Sequence, residues 1–134
     1  MNLKYTNNIP NARELCDLFV SIGWSGTHTN EDKIKKSLAF NNVFVVSVYD
    51  NDQLVGFGKV LEDGLRCLLY DLAVNPAYER QGIGKNIMNN LISYAKQKGY
   101  GEVRLFYWKE NPMLVPFYES IGFKNMDNAM KKII

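Results

Sequence analysis

The chain has 134 residues, of which 46% are apolar or aromatic, and it carries a formal net charge of +2. This length suits a single domain over residues 1–134, and the apolar content excludes a disordered chain. The small net charge argues against nucleic acid as a partner. No apolar run approaches the roughly 18 residues of a membrane-spanning helix, and the N-terminus has no apolar signal core, so we expect a cytoplasmic protein without a membrane partner.

The N-terminal half combines helical and strand-like periods. A strand is predicted over 3–6 and helices over 12–23 and 31–40, because apolar residues recur there at helical spacing and Asn30 is a good cap for the second helix. The loop between these helices contains Trp24 and His28. Strand-like runs follow over 43–49 and 54–60, separated by the turn at 50–52, and Asp63-Gly64 marks another turn.

The stretch over 68–98 predicts a strand, a short loop and an amphipathic helix. The strand over 68–74 is apolar or aromatic apart from Asp71, and Asn75-Pro76 ends it because proline has no N–H to donate to a neighbouring strand. From Ile83 onward the apolar residues lie on one helical face, and Lys98-Gly99 ends the helix.

The loop before that helix reads Glu79-Arg80-Gln81-Gly82-Ile83-Gly84. Glycines let a ligand approach the backbone, and the free N–H groups of a first helical turn suit phosphate. The alternative is that the glycines only turn the chain tightly. A dinucleotide fingerprint fails because Ile87 stands where a third glycine is required, and a P-loop fails because Asn86 follows Gly84-Lys85.

The C-terminal part predicts a strand over 103–108 that includes Trp108, a helix over 113–120 and a last strand that opens at Phe123. Asn111 is expected to cap the helix and Pro112 to occupy its first position. The resulting order, β-α-α-β-β-β-α-β-α-β, predicts an α+β domain with a mixed, mostly antiparallel central sheet flanked by helices.

Two stretches resemble motifs of the GCN5-related N-acetyltransferase (GNAT) superfamily. The segments Leu72-Ala73-Val74-Asn75-Pro76 and Gly82-Ile83-Gly84 are similar to its motif A, and 111–123 is similar to its Asn-x-x-Ala-x-x-Phe-Tyr-x-x-x-Gly-Phe pattern, with Leu114 or Val115 near the alanine of the family. Glu79 departs from the family, which usually has glutamine or arginine there. The order of elements also resembles the three-layer GNAT fold.

The resemblance implies acetyl transfer from acetyl-CoA to a primary amine of a small molecule or peptide, by direct attack within a ternary complex. It implies no metal, and it admits a homodimer. The residues that it assigns to acetyl-CoA are Leu72, Ala73, Val74, Glu79, Arg80, Gln81, Gly82, Ile83, Gly84, Lys85, Asn111 and Tyr118.

Catalytic roles also follow from the resemblance. The backbone N–H of Val74 would face the developing oxyanion, and Tyr118 would protonate the leaving thiolate, although its spacing alone also suits a core residue. Asn111 is either a helix cap or a contact to coenzyme A. Trp24, His28 and Asp71 would line the acceptor site.

The acceptor must lose a proton before it attacks, because alkylamines have pKa values near 10. Asp71 is the candidate base, since an unpaired carboxylate within an apolar strand is energetically costly and therefore indicates a function. The alternative is a carboxylate paired with backbone or with a basic side chain, and Glu62 is a weaker candidate base. A different function is a non-catalytic acyl-CoA-binding sensor. Glu79, which departs from the family pattern, favours this sensor, whereas Tyr118, which matches the proton donor of the family, favours the enzyme.

Overall fold

The computed structural model describes residues 1–40 and 43–134 of the chain. Over these residues the elements are β1 (Leu3–Thr6), α1 (Ala12–Ser21), α2 (Glu31–Leu38), β2 (Val43–Asp50), β3 (Gln53–Glu62), β4 (Cys67–Val74), α3 (Ile83–Gln97), β5 (Arg104–Leu105) and α4 (Leu114–Ser120), with short 3-10 helices at Gly26–Thr29 and Pro76–Tyr78. Five strands form one sheet in the order β1-β2-β3-β4-β5. The chain forms two compact units, Met1–Arg104 and Leu105–Ile134.

Antiparallel pairs join β1 to β2, β2 to β3 and β3 to β4, and the last two pairs are joined by the turns that the sequence predicted. Asn51, in the two-residue turn between β2 and β3, has a φ of +52°, which asparagine tolerates better than most residues. Asp63 Oδ1 accepts hydrogen bonds from the backbone N–H groups of Leu65 and Arg66, which closes the turn between β3 and β4. The predicted mixed, mostly antiparallel α+β architecture is confirmed.

Helices α1 and α2 both begin at a side-chain cap, and the cap of α2 is the one that the sequence predicted. Asn11 and Glu14 form a reciprocal capping box at the start of α1. Asn30 Oδ1 accepts a hydrogen bond from the N–H of Lys33 at the start of α2. Both helices pack on one face of the sheet, where the core consists of Leu15, Cys16, Leu18, Phe19, Ile34, Leu38, Val45, Leu54, Phe57 and Ala73.

Helix α3 covers the opposite face of the sheet. Its buried side chains are Ile83, Ile87, Met88, Leu91 and Ala95. Phe57 joins the α1–α2 core, so its neighbours Gly56 and Gly58 point to the other face, where a Cβ built on Gly58 would lie 2.7 Å from Ile87 Cγ2. The first unit is therefore a three-layer arrangement, with the sheet between α3 and the α1–α2 pair.

Strand β4 contains a bulge at Asp71. Phe57 pairs with Ala73 and Lys59 with Tyr70, so two residues of β4 lie opposite one residue of β3. Asp71 has a φ of +57°, which lies in the left-handed region. The bulge interrupts the alternation of side chains between the two faces of β4, two residues before the buried Ala73.

The C-terminal residues, from 103 onward, correct three expectations. Strand β5 is two residues long, and Trp108 lies outside it with 67% of its surface exposed. Residues 123–134 contain no helix or strand, so the last predicted strand is wrong. Helix α4 begins at Leu114 after an N-cap at Met113, so Pro112 precedes the helix and does not open it.

The end of α4 explains why Phe123 opens no strand. The N–H of Phe123 donates to the carbonyl of Tyr118, and the N–H of Gly122 donates to the carbonyl of Glu119. Gly122 has a φ of +105°, so this is a Schellman motif, which often brings an apolar contact between the same two positions. The rings of Phe123 and Tyr118 make that contact, with centroids 5.7 Å apart. Phe123 thus closes a helix.

No helix within the described part of the chain is long and apolar enough to cross a membrane.

Candidate functional site

The chain leaves β4 through a short 3-10 helix before α3 begins. The N–H of Asn75 donates to the carbonyl of Val55 at 2.8 Å, which holds the end of β4 against β3. Asn75 Oδ1 then accepts the N–H of Ala77 at 2.9 Å, and Pro76–Tyr78 forms the 3-10 helix. Helix α3 starts at Ile83, as the glycine pattern predicted.

The backbone over 79–84, between the 3-10 helix and the first turn of α3, forms an open loop that we call the cradle. Arg80 has a φ of +62° and Gly82 a φ of +79°. Gly82 is the N-cap of α3 and has no side chain that could cover the N–H groups of the first turn. A Cβ built on Gly82 would meet nothing within 4 Å. The helix dipole is positive at this end, so the cradle fits an anionic group such as a diphosphate.

The charges around the cradle are mixed. Arg80 and Lys85 are exposed cations beside the helix start. Glu79 is also exposed and follows the 3-10 helix, where its N–H donates to the carbonyl of Pro76. Water and salt screen an exposed carboxylate from a bound anion. Within the predicted binding segment 79–85, the exposed residues at the start of α3 are Glu79, Arg80, Gln81, Gly82 and Lys85, whereas Gly84 is partly exposed and the side chain of Ile83 is buried.

The other predicted cofactor residues of this unit lie at the end of β4. Ala73 is buried and pairs with Phe57, whereas Leu72 and Val74 are partly exposed and Val74 pairs with Gly56. The role of the Val74 N–H toward an oxyanion stays a prediction.

Asp71 is the centre of a charged network on the α1–α2 side of the sheet. Its Oδ1 lies 2.8 Å from His28 Nε2, and its Oδ2 lies 3.1 Å from Lys59 Nζ. Lys59 Nζ also donates to Ser37 Oγ at 2.7 Å. The side chains of Asp71 and Lys59 are only 17% and 14% exposed. Buried charges need such pairing, because an unpaired charge loses its hydration without compensation.

The predicted acceptor residues Trp24, His28 and Asp71 form a chain of contacts. The centroid of His28 lies 5.0 Å from that of Trp24 and 5.4 Å from that of Phe19. Trp24 packs on Phe19 with centroids 4.9 Å apart. The backbone N–H of Trp24 donates to the carbonyl of Phe19 near the end of α1. The end of the helix therefore fixes the position of the indole.

A cavity of about 160 Å³ opens beside this network. Its apolar wall consists of Leu15, Phe19, Ile34 and Leu38. Its polar side consists of Thr27, His28, Lys33, Ser37, Lys59 and Asp71. The combination of an apolar wall and a few converging polar groups is typical of a small-molecule site.

Sequence reasoning missed Lys59 and Ser37. Lys59 follows Gly56-Phe57-Gly58 within a strand that is otherwise apolar. A lysine in that setting requires a partner, just as Asp71 does, so the pair of oppositely charged residues in neighbouring strands was the available signal.

Glu62, the weaker candidate base, has other partners. It accepts hydrogen bonds from the hydroxyls of Tyr94 and Tyr100. Tyr94 belongs to α3, so this carboxylate ties α3 to the end of β3.

In the second unit, Tyr118 packs between the rings of Phe117 and Phe123, at centroid distances of 5.1 and 5.7 Å. Burial raises the pKa of Tyr118 to about 12, so the hydroxyl keeps its proton at neutral pH. Asn111 does not cap α4: its Oδ1 accepts the N–H of Met113 in a turn before the helix. The assignments of Tyr118 and Asn111 to acetyl-CoA stay predictions.

Comparisons with known proteins bear on this arrangement. A curated relative, the uncharacterised N-acetyltransferase ycf52 of Porphyra purpurea, is 30% identical over 133 residues, which is 96% of this chain and 73% of the relative. The chain spans between 61% and 73% of the length of four such relatives.

Two solved structures share the fold. A Staphylococcus aureus protein, described as a probable acetyltransferase, has a TM-score of 0.86 and 28% identity, and the match covers 98% of both chains. The PaiA N-acetyltransferase of Thermoplasma acidophilum, solved in complex with coenzyme A, has a TM-score of 0.81 and 19% identity over 96% of this chain and 94% of that one.

The family model described as "Acetyltransferase (GNAT) family" matches residues 12–123, which include the cradle, the charged network and α4. Together with the Porphyra relative, this match shows that the chain belongs to the GNAT family of acetyltransferases.

Proposed function

We propose that this chain transfers the acetyl group of acetyl-CoA to a primary amine of a small molecule or peptide, by direct attack within a ternary complex. The observation that carries the proposal is the cradle at the start of α3, where Arg80 and Gly82 have positive φ and the first-turn N–H groups are uncovered. Such backbone donors suit the diphosphate of coenzyme A.

The family supports the cosubstrate. The Thermoplasma protein of the same fold was solved in complex with coenzyme A, and this chain has the glycines Gly82 and Gly84 at the helix start. Bound acetyl-CoA would supply a thioester carbonyl that is open to attack by an amine. The N–H of Val74 would stabilise charge on the carbonyl oxygen, and Tyr118 would donate a proton to the sulfur.

The acceptor would enter the cavity beside Asp71. Its apolar wall suits an alkyl or aromatic portion of the amine, and its polar side suits the ammonium end. A volume of about 160 Å³ favours a small amine or a single side chain of a peptide.

The proposal is tested by incubating the protein with acetyl-CoA and a panel of amines, with free thiol as the readout of turnover. Titration calorimetry with coenzyme A measures binding separately. We expect binding together with thiol release for a subset of amines. Coenzyme A binding without turnover on any amine would favour the acyl-CoA sensor, and absence of binding would contradict both functions.

A further inference from the structure

We propose that His28 is the general base that accepts the proton of the acceptor amine, and that Asp71 and Lys59 are its positioning residues. The inference rests on the proposed function, because it assigns a role within the same acetyl transfer. It replaces Asp71 as the candidate base for a geometric reason: both oxygens of Asp71 already have partners, His28 Nε2 at 2.8 Å and Lys59 Nζ at 3.1 Å.

The hydrogen bond to Asp71 selects one tautomer of the imidazole. An ionised carboxylate can only accept hydrogen bonds, so Nε2 of His28 must carry the proton that it donates to Oδ1. The neutral ring then has its free lone pair on Nδ1. Over residues 1–40 and 43–134, Nδ1 has no hydrogen-bond partner, which leaves it available to a ligand.

The carboxylate that orients His28 is itself held from two sides. Lys59 binds its second oxygen and is anchored in turn by Ser37, at 2.7 Å. The backbone of Asp71 adopts a φ of +57° at the bulge, in the left-handed region that residues other than glycine seldom adopt and that aspartate tolerates better than most. Bulges re-aim a side chain, and this one directs Asp71 toward the imidazole.

The ring of His28 is also held by packing. Phe19 and Trp24 both contact it edge to face, so its orientation does not depend on the hydrogen bond alone. Its side chain remains 42% exposed and lines the cavity, so the imidazole can return a proton to water after each turnover.

Among the described residues that line the cavity together with His28, the charged ones come from three elements. They are Lys33 of α2, Lys59 of β3 and Asp71 of β4, whereas α1 contributes only the apolar Leu15 and Phe19. Lys59 and Asp71 neutralise each other, and Lys33 is exposed to solvent.

In the proposed step, His28 removes a proton from the acceptor before the acetyl group is transferred. The ammonium of the acceptor gives one proton to Nδ1, and the neutral amine nitrogen forms a bond to the acetyl carbon. The carbon–sulfur bond breaks, the sulfur takes a proton from the donor proposed above, and the second proton of the nitrogen passes through water to restore that donor. The imidazolium of His28 returns its proton to solvent, so the products are the acetamide, coenzyme A thiol and one proton.

The tautomer can be measured without any substrate. The sequence contains one histidine, so nitrogen-15 NMR of the ring reports on His28 alone. We expect a proton on Nε2 and none on Nδ1 above neutral pH. In Asp71→Asn, whose asparagine tolerates a positive φ, we expect a mixture of both tautomers. A proton on Nδ1 in the parent protein would overturn the inference.

Kinetics test the catalytic role. In His28→Gln the amide can still donate to Asp71 but cannot accept a proton at neutral pH, so we expect kcat/KM for the amine to fall by about 100-fold at pH 7. The defect should shrink as the pH approaches about 10, where the amine loses its own proton. Affinity for coenzyme A should not change. Ser25→Ala, in the same loop with no side-chain cap bond, is the matched control and should retain the parent rate.

The outcomes separate the two proposals. Turnover by the parent protein with an unchanged rate and pH profile in His28→Gln would overturn the role of His28 alone. A loss that is equal at every pH, or weaker binding of coenzyme A by the variant, would assign His28 a structural role and also overturn it. No turnover by the parent protein would contradict the proposed function, and the base assignment with it.

Discussion

At the residue scale, the charged network shows what a buried carboxylate requires. Asp71 lies in a strand that is otherwise mostly apolar, and the sequence predicted that it must have a function or a partner. The structure gives it two partners, Lys59 and His28, which are 12 and 43 residues away along the chain. Those distances explain why sequence reasoning could identify the need for a partner but not the partner itself.

Gly82 carries the first prediction at this scale. In Gly82→Asp a carboxylate would stand at the start of α3, where the proposed diphosphate binds, so we expect the Kd for coenzyme A to rise by about 100-fold, or about 2.7 kcal/mol. Calorimetry measures the change.

Two controls separate charge from backbone strain in this experiment. Gly82→Asn introduces a neutral side chain of the same shape and should weaken binding less than the aspartate does. Gly64→Asp adds the same charge at another glycine with positive φ, in the turn between β3 and β4, and should leave binding unchanged. Equal affinity of Gly82→Asp and the parent protein would place the diphosphate elsewhere.

Tyr118 carries the second prediction. Removal of the hydroxyl in Tyr118→Phe should lower kcat by about 100-fold, the usual contribution of a positioned acid, with little change in the affinity for acetyl-CoA. Burial raises the pKa of the Tyr118 hydroxyl to about 12. The phenol therefore stays protonated up to that pH, and the parent kcat should show no loss from its ionisation between pH 7 and about 10.

Tyr107→Phe is the matched control for Tyr118. Tyr107 lies in the same unit, and its hydroxyl bonds the side chains of Asn125 and Asp127. Its loss should leave kcat within about twofold of the parent value, since effects below 0.5 kcal/mol are common away from a site. If Tyr118→Phe behaves like Tyr107→Phe, then Tyr118 serves packing only.

At the element scale, the close approach of α3 to β3 depends on a residue without a side chain. A Cβ at Gly58 would lie 2.7 Å from Ile87 Cγ2 and 3.1 Å from Leu91 Cδ1. Both partners are fully buried on α3, so they have little room to move. We expect Gly58→Ala to lower the free energy of unfolding by about 1–3 kcal/mol, as overpacking does.

Denaturant unfolding followed by circular dichroism measures this change. Gly101→Ala is the control, because a Cβ there meets nothing within 4 Å and the residue is exposed. Its stability should stay within about 0.5 kcal/mol of the parent value. A stable Gly58→Ala variant would mean that α3 can shift away from the sheet at low cost.

The elements also differ in how far the sequence determined them. Helices α1, α2 and α3 begin at the residues expected, because a cap and an amphipathic face are local signals. The predicted strand over 103–108 failed in part and the strand at Phe123 failed fully. Strand formation depends on a partner to pair with, which β-branched and aromatic residues do not supply by themselves.

At the scale of the whole molecule, three buried or bonded tyrosines predict how stability changes in alkali. Burial raises the pKa values of Tyr49 and Tyr94 to about 12, with added contributions from Glu14 and Glu62, and burial alone raises that of Tyr118 to the same value. Unfolding returns these hydroxyls to their ordinary pKa of about 10.

The sign of the effect follows from proton binding. Between pH 10 and about 12 the folded protein holds protons that the unfolded chain has released, so the free energy of unfolding should fall as the pH rises. Denaturant unfolding at pH 9, 10 and 11 measures the fall, and Tyr94→Phe should show a shallower one. A free energy of unfolding that is constant over this range would contradict the prediction.

By itself the sequence determined the class of the fold, the cradle at the start of α3 and the family, because these depend on periods, caps and glycines that lie close together along the chain. Only the tertiary structure decided which side chains meet at Asp71. His28 comes from the loop after α1, Lys59 from β3 and Ser37 from α2, and packing of both helices on one face of the sheet brings them to one cavity. Contacts between distant segments depend on that packing, so no local pattern could reveal them.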